Sequence, residues 1–241
     1  MMWTLPRLVH DLRKLRIHPG DLLFIHSSFK SLGPVFGGVA TVVRALEGAV
    51  GTGGLILMPS FNLVGTLSGR RNWNIARTPS TVGWITEYFR NLPGTIRSDH
   101  YSHSVAARGP GAASFIADHR SHRGLVSPWD ELPWGRTYGT HSPMYRAYQR
   151  RGKLLMLDVN YESSTYCHIV ETIVWNRQRE RDRDAPYPHL DRHALGAYWD
   201  GLNRMERGTV GAAHCRLFDI ADFVDTLVIE VEPNPAAYLK R

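Results

Sequence analysis

The fold is decided by the stretch 22-LLFIHSSFKSLGPVFGGVATVVRALEGAVGTGGLILMP-59, in which a helical pattern lies between two short apolar runs. The first run, 22-LLFIH-26, predicts a buried strand that ends in a polar residue, and 55-LILMP-59 predicts a second strand. Between them, apolar residues recur at helical spacing over residues 39–50, and a Gly-rich turn ends this helix. Strand, helix and strand in this order favour an α/β sheet. Because ligands of such sheets bind where strands end, His26 marks a candidate site edge.

The rest of the chain extends this pattern without a Pro/Gly/Ser-rich linker, so we expect a single domain over residues 1–241. A third apolar run, 153-KLLMLDV-159, predicts another buried strand. Two long irregular segments, 61–83 and 124–139, are predicted to line a binding site or the surface. Apolar spacing and end signals predict further helices over residues 4–15, 82–89, 111–119, 143–150, 163–176, 191–205 and 220–228.

Charge and composition indicate the class of protein and of partner. The 241 residues include 29 basic and 22 acidic ones, a net charge of +7 that favours an anionic partner such as nucleic acid or a polyanionic cofactor; a merely solvated basic surface is the alternative. No apolar run approaches the roughly 20 residues of a membrane span. The N-terminus lacks a signal-peptide pattern, so we expect a cytoplasmic protein. Cys167 and Cys215 predict neither a disulfide framework nor a structural zinc site.

A dense set of titratable groups follows the third strand, in 160-NYESSTYCHIVE-171. Residues three apart share a helix face, so Thr165, His168 and Glu171 line up. A carboxylate beside an imidazole fixes its tautomer and raises its basicity, as a general base requires; a solvated His–Glu pair is the alternative. The N–H groups at the helix start suit an anionic ligand or an oxyanion. Cys167 lies about 100° from His168 around the helix, so we expect a buried structural cysteine rather than a nucleophile.

The sequence gives weaker support for two other kinds of site. His100 and His103 lie three apart and His141 could join them, which makes a metal site an alternative, but no second ligand pair accompanies them. The glycines between residues 33 and 54 match neither a dinucleotide fingerprint nor a phosphate loop, so we expect no dinucleotide or NTP site.

Seven stretches carry a pattern that extends over nearly the whole chain. They are 26-HSSFKSLGPVFGG-38, 54-GLILMPSF-61, 77-RTPSTVG-83, 97-RSDHYSHSVAARGP-110, 139-GTHSPMYRAYQRRGKLLMLDV-159, 165-TYCHIVE-171 and 208-GTVGAAHCRLFDIADFVD-225. Their content and order resemble the aminoglycoside 3-N-acetyltransferase family, also called the antibiotic acetyltransferase family. The resemblance implies a three-layer α/β sandwich with a mixed central β-sheet flanked by helices. It also implies an enzyme that acetylates an amine from acetyl-coenzyme A, without a metal and without a covalent enzyme intermediate.

The resemblance further implies roles for individual residues. His168 takes the place of the family's catalytic base, Glu171 would orient it, and Thr165 or the backbone N–H groups at the helix start would bind the oxyanion. Coenzyme A contacts are expected by position from His26, Ser27, Ser28, Ser104 and Ala106. By their charge, further contacts to its phosphates are expected from Lys30, Arg97 and Arg108. The expected substrate contacts are Tyr161, Glu162 and Asp158.

The chain departs from the family pattern in two places. Members that inactivate aminoglycosides usually carry an acidic pair where this chain has Tyr161-Glu162, and a longer acidic insert where it has the short, basic 176-NRQRERDRDAPYPHLD-191. An aminoglycoside is a polycation, which a protein of charge +7 repels unless the pocket is locally acidic. We therefore expect a small-molecule acceptor amine, with a neutral or anionic secondary-metabolite amine favoured over an aminoglycoside-like antibiotic.

Two alternatives to this activity remain, and each rests on particular residues of the chain. The first is a family member without catalytic activity that binds anions or nucleic acid, for which Trp73 beside Arg70 and Arg71 would form a stacking platform. No nucleic-acid motif accompanies these residues, so neither nucleic acid nor a membrane is an expected partner. The second is an acyl-coenzyme A thioesterase, in which the His–Glu pair acts on water. A monomer and a homodimer both fit the sequence.

Overall fold

The computed structural model describes residues 2–63 and 71–240, and the seven strands of these residues form one sheet. The strands are β1 (Leu22–Ser27), β2 (Leu55–Pro59), β3 (Ile96–Arg97), β4 (Val105–Arg108), β5 (Lys153–Leu157), β6 (Glu206–Val210) and β7 (Ala213–Asp219). Their order across the sheet is β3-β4-β2-β1-β5-β7-β6. The α-helices of the described residues are α1 (Leu5–Lys14), α2 (Gly38–Val50), α3 (Trp84–Arg90), α4 (Ala112–Ile116), α5 (Pro143–Gln149), α6 (Thr165–Arg181), α7 (Arg192–Leu202) and α8 (Ile220–Val231).

The centre of the sheet is parallel and its flanks are antiparallel. β1 pairs in parallel with β2 on one side and with β5 on the other. β4 runs antiparallel to β2, and β7 runs antiparallel to β5. The central strands are buried on both faces, which is why their apolar runs are nearly continuous rather than alternating. The expected mixed sheet and the strand–helix–strand unit at its centre are both confirmed.

Helices cover both faces of this sheet. α1, α2 and α3 pack on one face, where Leu8 and Leu12 of α1, spaced by one helical turn, are fully buried. α4 to α8 pack on the opposite face around a cluster that includes Trp199, Phe218 and Phe223. The expected three-layer α/β architecture is therefore confirmed. In the described ranges, no helix combines the length and the apolar character that crossing a membrane requires.

The C-terminal third differs most from the sequence-based expectation, because the hairpin of β6 and β7 is not among the predicted elements. The hairpin turns at Gly211, whose φ of +61° suits glycine. α6 also continues to Arg181, beyond the predicted end at residue 176. Arg177 pairs with Glu232, just after α8, at 2.5 Å. The arginine-rich start of the 176–191 segment thus lies on the C-terminal end of α6, where Arg177 and Glu180 are exposed.

Close packing between α7 and the segment before α6 depends on a glycine. Gly196 in α7 faces the ring of Tyr161, and a Cβ atom at residue 196 would lie 2.1 Å from that ring. The ring has no room to move, because the Tyr161 hydroxyl donates to Asp200 at 2.6 Å and the ring stacks on Phe223. Gly201 in the same helix has no heavy atom near the corresponding Cβ position.

We predict that Gly196→Ala lowers the free energy of unfolding by about 1–3 kcal/mol, the usual cost of overpacking. Gly201→Ala is the matched control, since alanine favours a helix more than glycine does and meets no neighbour there. Urea unfolding of both variants measures the difference. Equal midpoints for the two variants would contradict the packing described here.

Candidate active site

A cavity of about 340 Å³ opens at the carboxyl ends of the central strands. Ser27 at the end of β1, Pro59 at the end of β2 and Val159 just after β5 line it. Ligands of α/β sheets bind in this position, because the loops diverge where the strands end. The site edge that the sequence predicts at His26 is confirmed as an edge of this cavity.

The cavity has an apolar wall and a polar wall, supplied from the two sides of β1. Phe61, Leu63 and Val82, from the irregular segment after β2, join Pro59 in the apolar wall. The polar wall comes from the segment after β5, the start of α6 and the start of α7. Its residues are Glu162, Ser163, Ser164, Thr165, His168 and Arg192. A ligand with an apolar chain and a polar head matches such a lining.

His168 and Glu171 form a hydrogen-bonded pair on this polar wall. The Nδ1 atom of His168 lies 2.6 Å from Oε2 of Glu171, as the predicted helix face requires. Glu171 is only 2% exposed, and its carboxylate also accepts hydrogen bonds from the Tyr187 hydroxyl and the Leu190 N–H, both at 3.0 Å. A carboxylate oxygen accepts hydrogen bonds, so the contact with Glu171 favours the tautomer in which the imidazole carries its proton on Nδ1 and its lone pair on Nε2.

Aromatic rings fix the orientation of the His168 ring. Trp129 contacts it edge to face, with 4.7 Å between the ring centroids, and Tyr138 lies 6.4 Å away. Both rings belong to the irregular segment 124–139, and Tyr138 lines the cavity. The prediction that this segment lines a site is therefore confirmed. Packing and the bond to Glu171 together leave His168 with one ring position.

His26 links the central strand β1 to the start of α6. Its Nε2 accepts the backbone N–H of Thr165 at 3.2 Å, and burial lowers the pKa of His26 to about 3. His26 is therefore neutral and carries its proton on Nδ1. Because the Thr165 N–H is occupied, it does not serve as the oxyanion donor that the sequence suggests. Ser27 differs, since its hydroxyl is buried at the cavity and has no hydrogen-bond partner among the described residues.

A family model described as aminoglycoside 3-N-acetyltransferase matches residues 24–230 of this chain. The chain belongs to this family. Its members are N-acetyltransferases, a class of acyltransferases. A solved structure with the same fold, AAC-IIIb, at 22% identity and with a TM-score of 0.78, is a binary complex with CoASH. The fold, the class of enzyme and the co-substrate expected from the sequence are thus confirmed at the level of the family.

Individual relatives match over almost their whole length. Aminoglycoside N(3)-acetyltransferase III of Salmonella sp is 30% identical, with 97% of this chain and 93% of the relative covered. The prophage-derived aminoglycoside N(3')-acetyltransferase-like protein YokD of Bacillus subtilis (strain 168) is also 30% identical, over 92% and 91%. The crystal structure of the aminoglycoside acetyltransferase AAC(3)-IVa apoenzyme superposes with a TM-score of 0.81 at 26% identity, over 100% of this chain and 93% of that one.

The alignment with the Salmonella enzyme extends over 281 positions, whereas this chain has 241 residues. That relative therefore contains segments without a counterpart here. In this chain the 176–191 segment folds back on Glu171 through Tyr187 and Leu190.

Several residues expected to bind the co-substrate or the substrate do not line the cavity. Ser28 pairs its hydroxyl with that of Ser31 at 2.8 Å, and Lys30 is exposed in the turn that follows. Asp158 is exposed with a φ of +49°. Tyr161 is held in the core by Asp200. Glu162 is the substrate candidate that does line the cavity.

Arg97, Ser104 and Ala106 are also buried away from the cavity. The Arg97 guanidinium donates to the carbonyl oxygens of Ser60 and Thr78, both at 2.5 Å, and to the Ser104 hydroxyl at 2.9 Å. Burial lowers the pKa of Arg97 to about 10, so it remains charged at neutral pH. It joins the segments around residues 60, 78 and 104 instead of contacting a phosphate. Arg108 pairs with Glu47 at 2.5 Å.

Two of the three candidate metal ligands, His100 and His103, are buried and neutral, whereas His141 is half-buried and its Nδ1 lies 3.1 Å from the Thr140 hydroxyl. Burial lowers the pKa of His103 to about 3 and that of His100 well below its usual value. The His100 Nδ1 accepts the N–H of His103 at 3.0 Å, so it is not free to bind a metal. Within the described ranges, no three His, Cys, Asp or Glu side chains are grouped to hold a metal ion.

Trp73, the residue that could stack on a nucleic-acid base, already makes contacts within the protein. The Trp73 ring is covered by the Arg97 guanidinium at 4.5 Å from its centroid, and its N–H donates to Asp99 at 2.8 Å. Arg71 is exposed, whereas Arg70 lies outside the described residues. The ring face that Arg97 covers is therefore closed to a stacking base.

Sequence reasoning missed the residues that arrive from distant segments. Tyr187 and Leu190 bind Glu171, Trp129 packs on His168, and Arg192 lines the polar wall. None of them stands at a helical spacing from His168. The compact 186-PYPHLD-191, with two prolines and a helix-capping aspartate, is the one local signal of an ordered return segment.

We predict that Arg97→Met lowers the free energy of unfolding by about 3 kcal/mol, because it leaves buried carbonyl oxygens without their charged donor. Arg108→Met serves as the control, since its partly exposed pair with Glu47 contributes about 1 kcal/mol or less. Urea unfolding compares them. If Arg97→Met were as stable as the control and instead weakened acetyl-coenzyme A binding, the structural role of Arg97 would be wrong.

Proposed function

We propose that this chain is an acetyl-coenzyme A-dependent N-acetyltransferase that transfers the acetyl group directly to an amine of a small molecule, with His168 as the general base. The observation that carries the proposal is the 2.6 Å bond between His168 and a buried Glu171 on the wall of a cavity at the strand ends. Membership in the family supports the reaction class.

The proposed step needs a base and a donor but no enzyme nucleophile. A neutral amine attacks the thioester carbonyl carbon, and its N–C bond forms as the carbonyl becomes a tetrahedral oxyanion. Nε2 of His168 takes the proton that the attacking nitrogen loses. The C–S bond then breaks, and the departing thiolate receives the proton from the imidazolium. The products are the N-acetylated amine and coenzyme A as its thiol.

Glu171 acts on this step through His168. Its buried charge holds the Nδ1–H tautomer and stabilises the imidazolium that forms, as a carboxylate behind a catalytic histidine does. Cys167, next to His168 in sequence, takes no part, because burial raises the pKa of its thiol to about 12. A protonated, inaccessible thiol is not a nucleophile.

The two walls of the cavity suit the two substrates. We assign the pantetheine arm to the apolar wall of Pro59, Phe61, Leu63 and Val82, since its chain is largely apolar. We assign the oxyanion to the Thr165 side chain and to the Ser27 hydroxyl, which has no hydrogen-bond partner among residues 2–63 and 71–240. The acceptor amine then belongs to the polar wall.

The proposal also includes the domain organisation, the oligomeric state and the cellular location of the protein. Residues 1–241 act as one acetyltransferase domain, present as a monomer or a homodimer in the cytoplasm. The two free, buried cysteines, Cys167 and Cys215, fit a reducing compartment. The partner is a small-molecule amine rather than a nucleic acid or a membrane.

We predict that His168→Gln lowers kcat/KM for acetyl transfer by about 10²–10⁴-fold, the usual contribution of a positioned general base. His10→Gln, an exposed histidine on α1, is the matched control and keeps wild-type activity. Release of coenzyme A thiol and the mass of the acetylated product are followed together over a panel of amines.

The same assay separates the alternatives. Thiol release that does not depend on an amine and yields acetate would identify a thioesterase. A His168→Gln variant with wild-type turnover would remove His168 from the mechanism. Failure of the wild-type protein to acetylate any amine, with acetyl-coenzyme A bound, would contradict the proposed function.

We also predict that Glu171→Gln lowers kcat more than it raises KM, because the mutation disturbs the tautomer and charge of His168 and not the cavity lining. Its pH profile is expected to shift along with kcat, which a purely structural loss would not produce. A change in thermal stability alone, with kcat intact, would contradict this role.

A further inference from the structure

The described lining of the cavity does not contain the several carboxylates that would bind a polycation. Glu162 is the single acidic residue among the described lining residues, and residues 64–70, VGTLSGR, contain no Asp or Glu. Glu171 lies behind His168 and is saturated by three donors. Asp200 is engaged by Tyr161 and Arg207 away from the cavity. An acceptor with several ammonium groups would therefore find one carboxylate.

Arg192 adds a positive charge to the polar wall. It is the first residue of α7, and Asp191 caps that helix by accepting the N–H groups of His193 and Ala194. Its Nη1 donates to the carbonyl oxygen of Glu162 at 2.5 Å. The guanidinium is thus held in place by a neutral oxygen.

Arg192 and Glu162 form a long ion pair without a close hydrogen bond between the guanidinium and the carboxylate. The distance from Nη1 of Arg192 to Oε2 of Glu162 is 3.8 Å, and the other oxygen lies 3.5 Å from Nε2 of His193. A charge-assisted hydrogen bond is shorter, at about 2.7–2.9 Å. The polar wall therefore presents one positive and one negative group, each able to bind a ligand of opposite charge.

From this arrangement we infer that the acceptor is a monoamine with one acidic group, of the amino-acid type, whose carboxylate binds Arg192. Its amino group lies between His168 and Glu162. A planar guanidinium binds a carboxylate through two parallel N–H···O bonds, which fixes the ligand as well as attracting it. A polyamine meets a single carboxylate and is repelled by Arg192.

This inference rests on the proposed acetyl transfer and adds its substrate class. The chemical step is unchanged: the N–C bond to the amino acid nitrogen forms, the C–S bond breaks, and the products are an N-acetyl amino acid and coenzyme A thiol. Arg192 is assigned to the acceptor rather than to coenzyme A because it lies on the polar wall, across β1 from the apolar one.

The test uses three four-carbon acceptors of different charge and one aminoglycoside. They are 4-aminobutanoic acid, its amide, 1,4-diaminobutane and the aminoglycoside apramycin. The proteins are the wild type, Arg192→Gln, Arg192→Glu and the control Arg204→Gln, whose arginine is exposed beyond α7 and lies outside the cavity. The kcat and KM of each acceptor and the KM of acetyl-coenzyme A are measured.

We expect the wild type and Arg204→Gln to prefer the amino acid over its amide and over both polyamines. Arg192→Gln should lose that preference through an increase of about 10–100-fold in the KM of the acid, the size of a lost hydrogen bond to a charged group. Arg192→Glu should favour the diamine over the acid. The KM of acetyl-coenzyme A should stay the same in all four proteins.

Three results would overturn the inference. They are a wild type that acetylates apramycin better than the amino acid, an Arg192→Gln variant with an unchanged preference, and a loss confined to the KM of acetyl-coenzyme A. Calorimetric titration of His168→Gln with the amino acid, with and without Arg192→Gln, measures binding without turnover. Arg192-dependent binding together with an inactive wild type would reject the proposed function and keep the assigned ligand class.

Discussion

The buried carboxylate of Glu171 is the constraint on which the site depends. A charge removed from water must be surrounded by donors, because an unpaired ion in the interior costs several kcal/mol. Here the donors are His168, Tyr187 and the Leu190 N–H. Two of the three follow α6 in sequence, so the chain must return to α6 directly after that helix ends. The need to surround the Glu171 carboxylate with donors therefore orients His168. It also determines the path of the segment between α6 and Arg192.

The sheet supplies the other half of the site. The three parallel strands at its centre end at the same edge of the sheet, and their ends leave an opening there. The antiparallel strands that flank them do not widen this opening. The bond from the Thr165 N–H to His26 joins the middle strand to the first turn of α6. The helix α6 is therefore attached to the centre of the sheet, whereas the loops contribute the apolar wall and the aromatic contacts.

Local patterns are enough to predict the centre of the fold and the contact between His168 and Glu171. The β1–α2–β2 unit follows from apolar spacing within forty residues, and the shared face of His168 and Glu171 follows from helix geometry. The β6–β7 hairpin was missed because charged residues such as Arg207 and Arg216 interrupt its strands. Arg97 was assigned to a phosphate because its charge is visible in the sequence and its burial is not. The partners of Glu171 could not be found, since the tertiary fold alone brings them to it.

The two edge strands of the sheet determine whether two copies of this protein can associate by strand pairing. One edge, β3, is two residues long, and the other, β6, carries Glu206 and Arg207 in ion pairs with Arg16 and Asp200. Short or charged edges offer a poor template for an additional strand. The molecule is thus protected against growth of the sheet from chain to chain. Contact between two copies would therefore use surfaces other than the sheet edges, and the order of the seven described strands ends with the single chain.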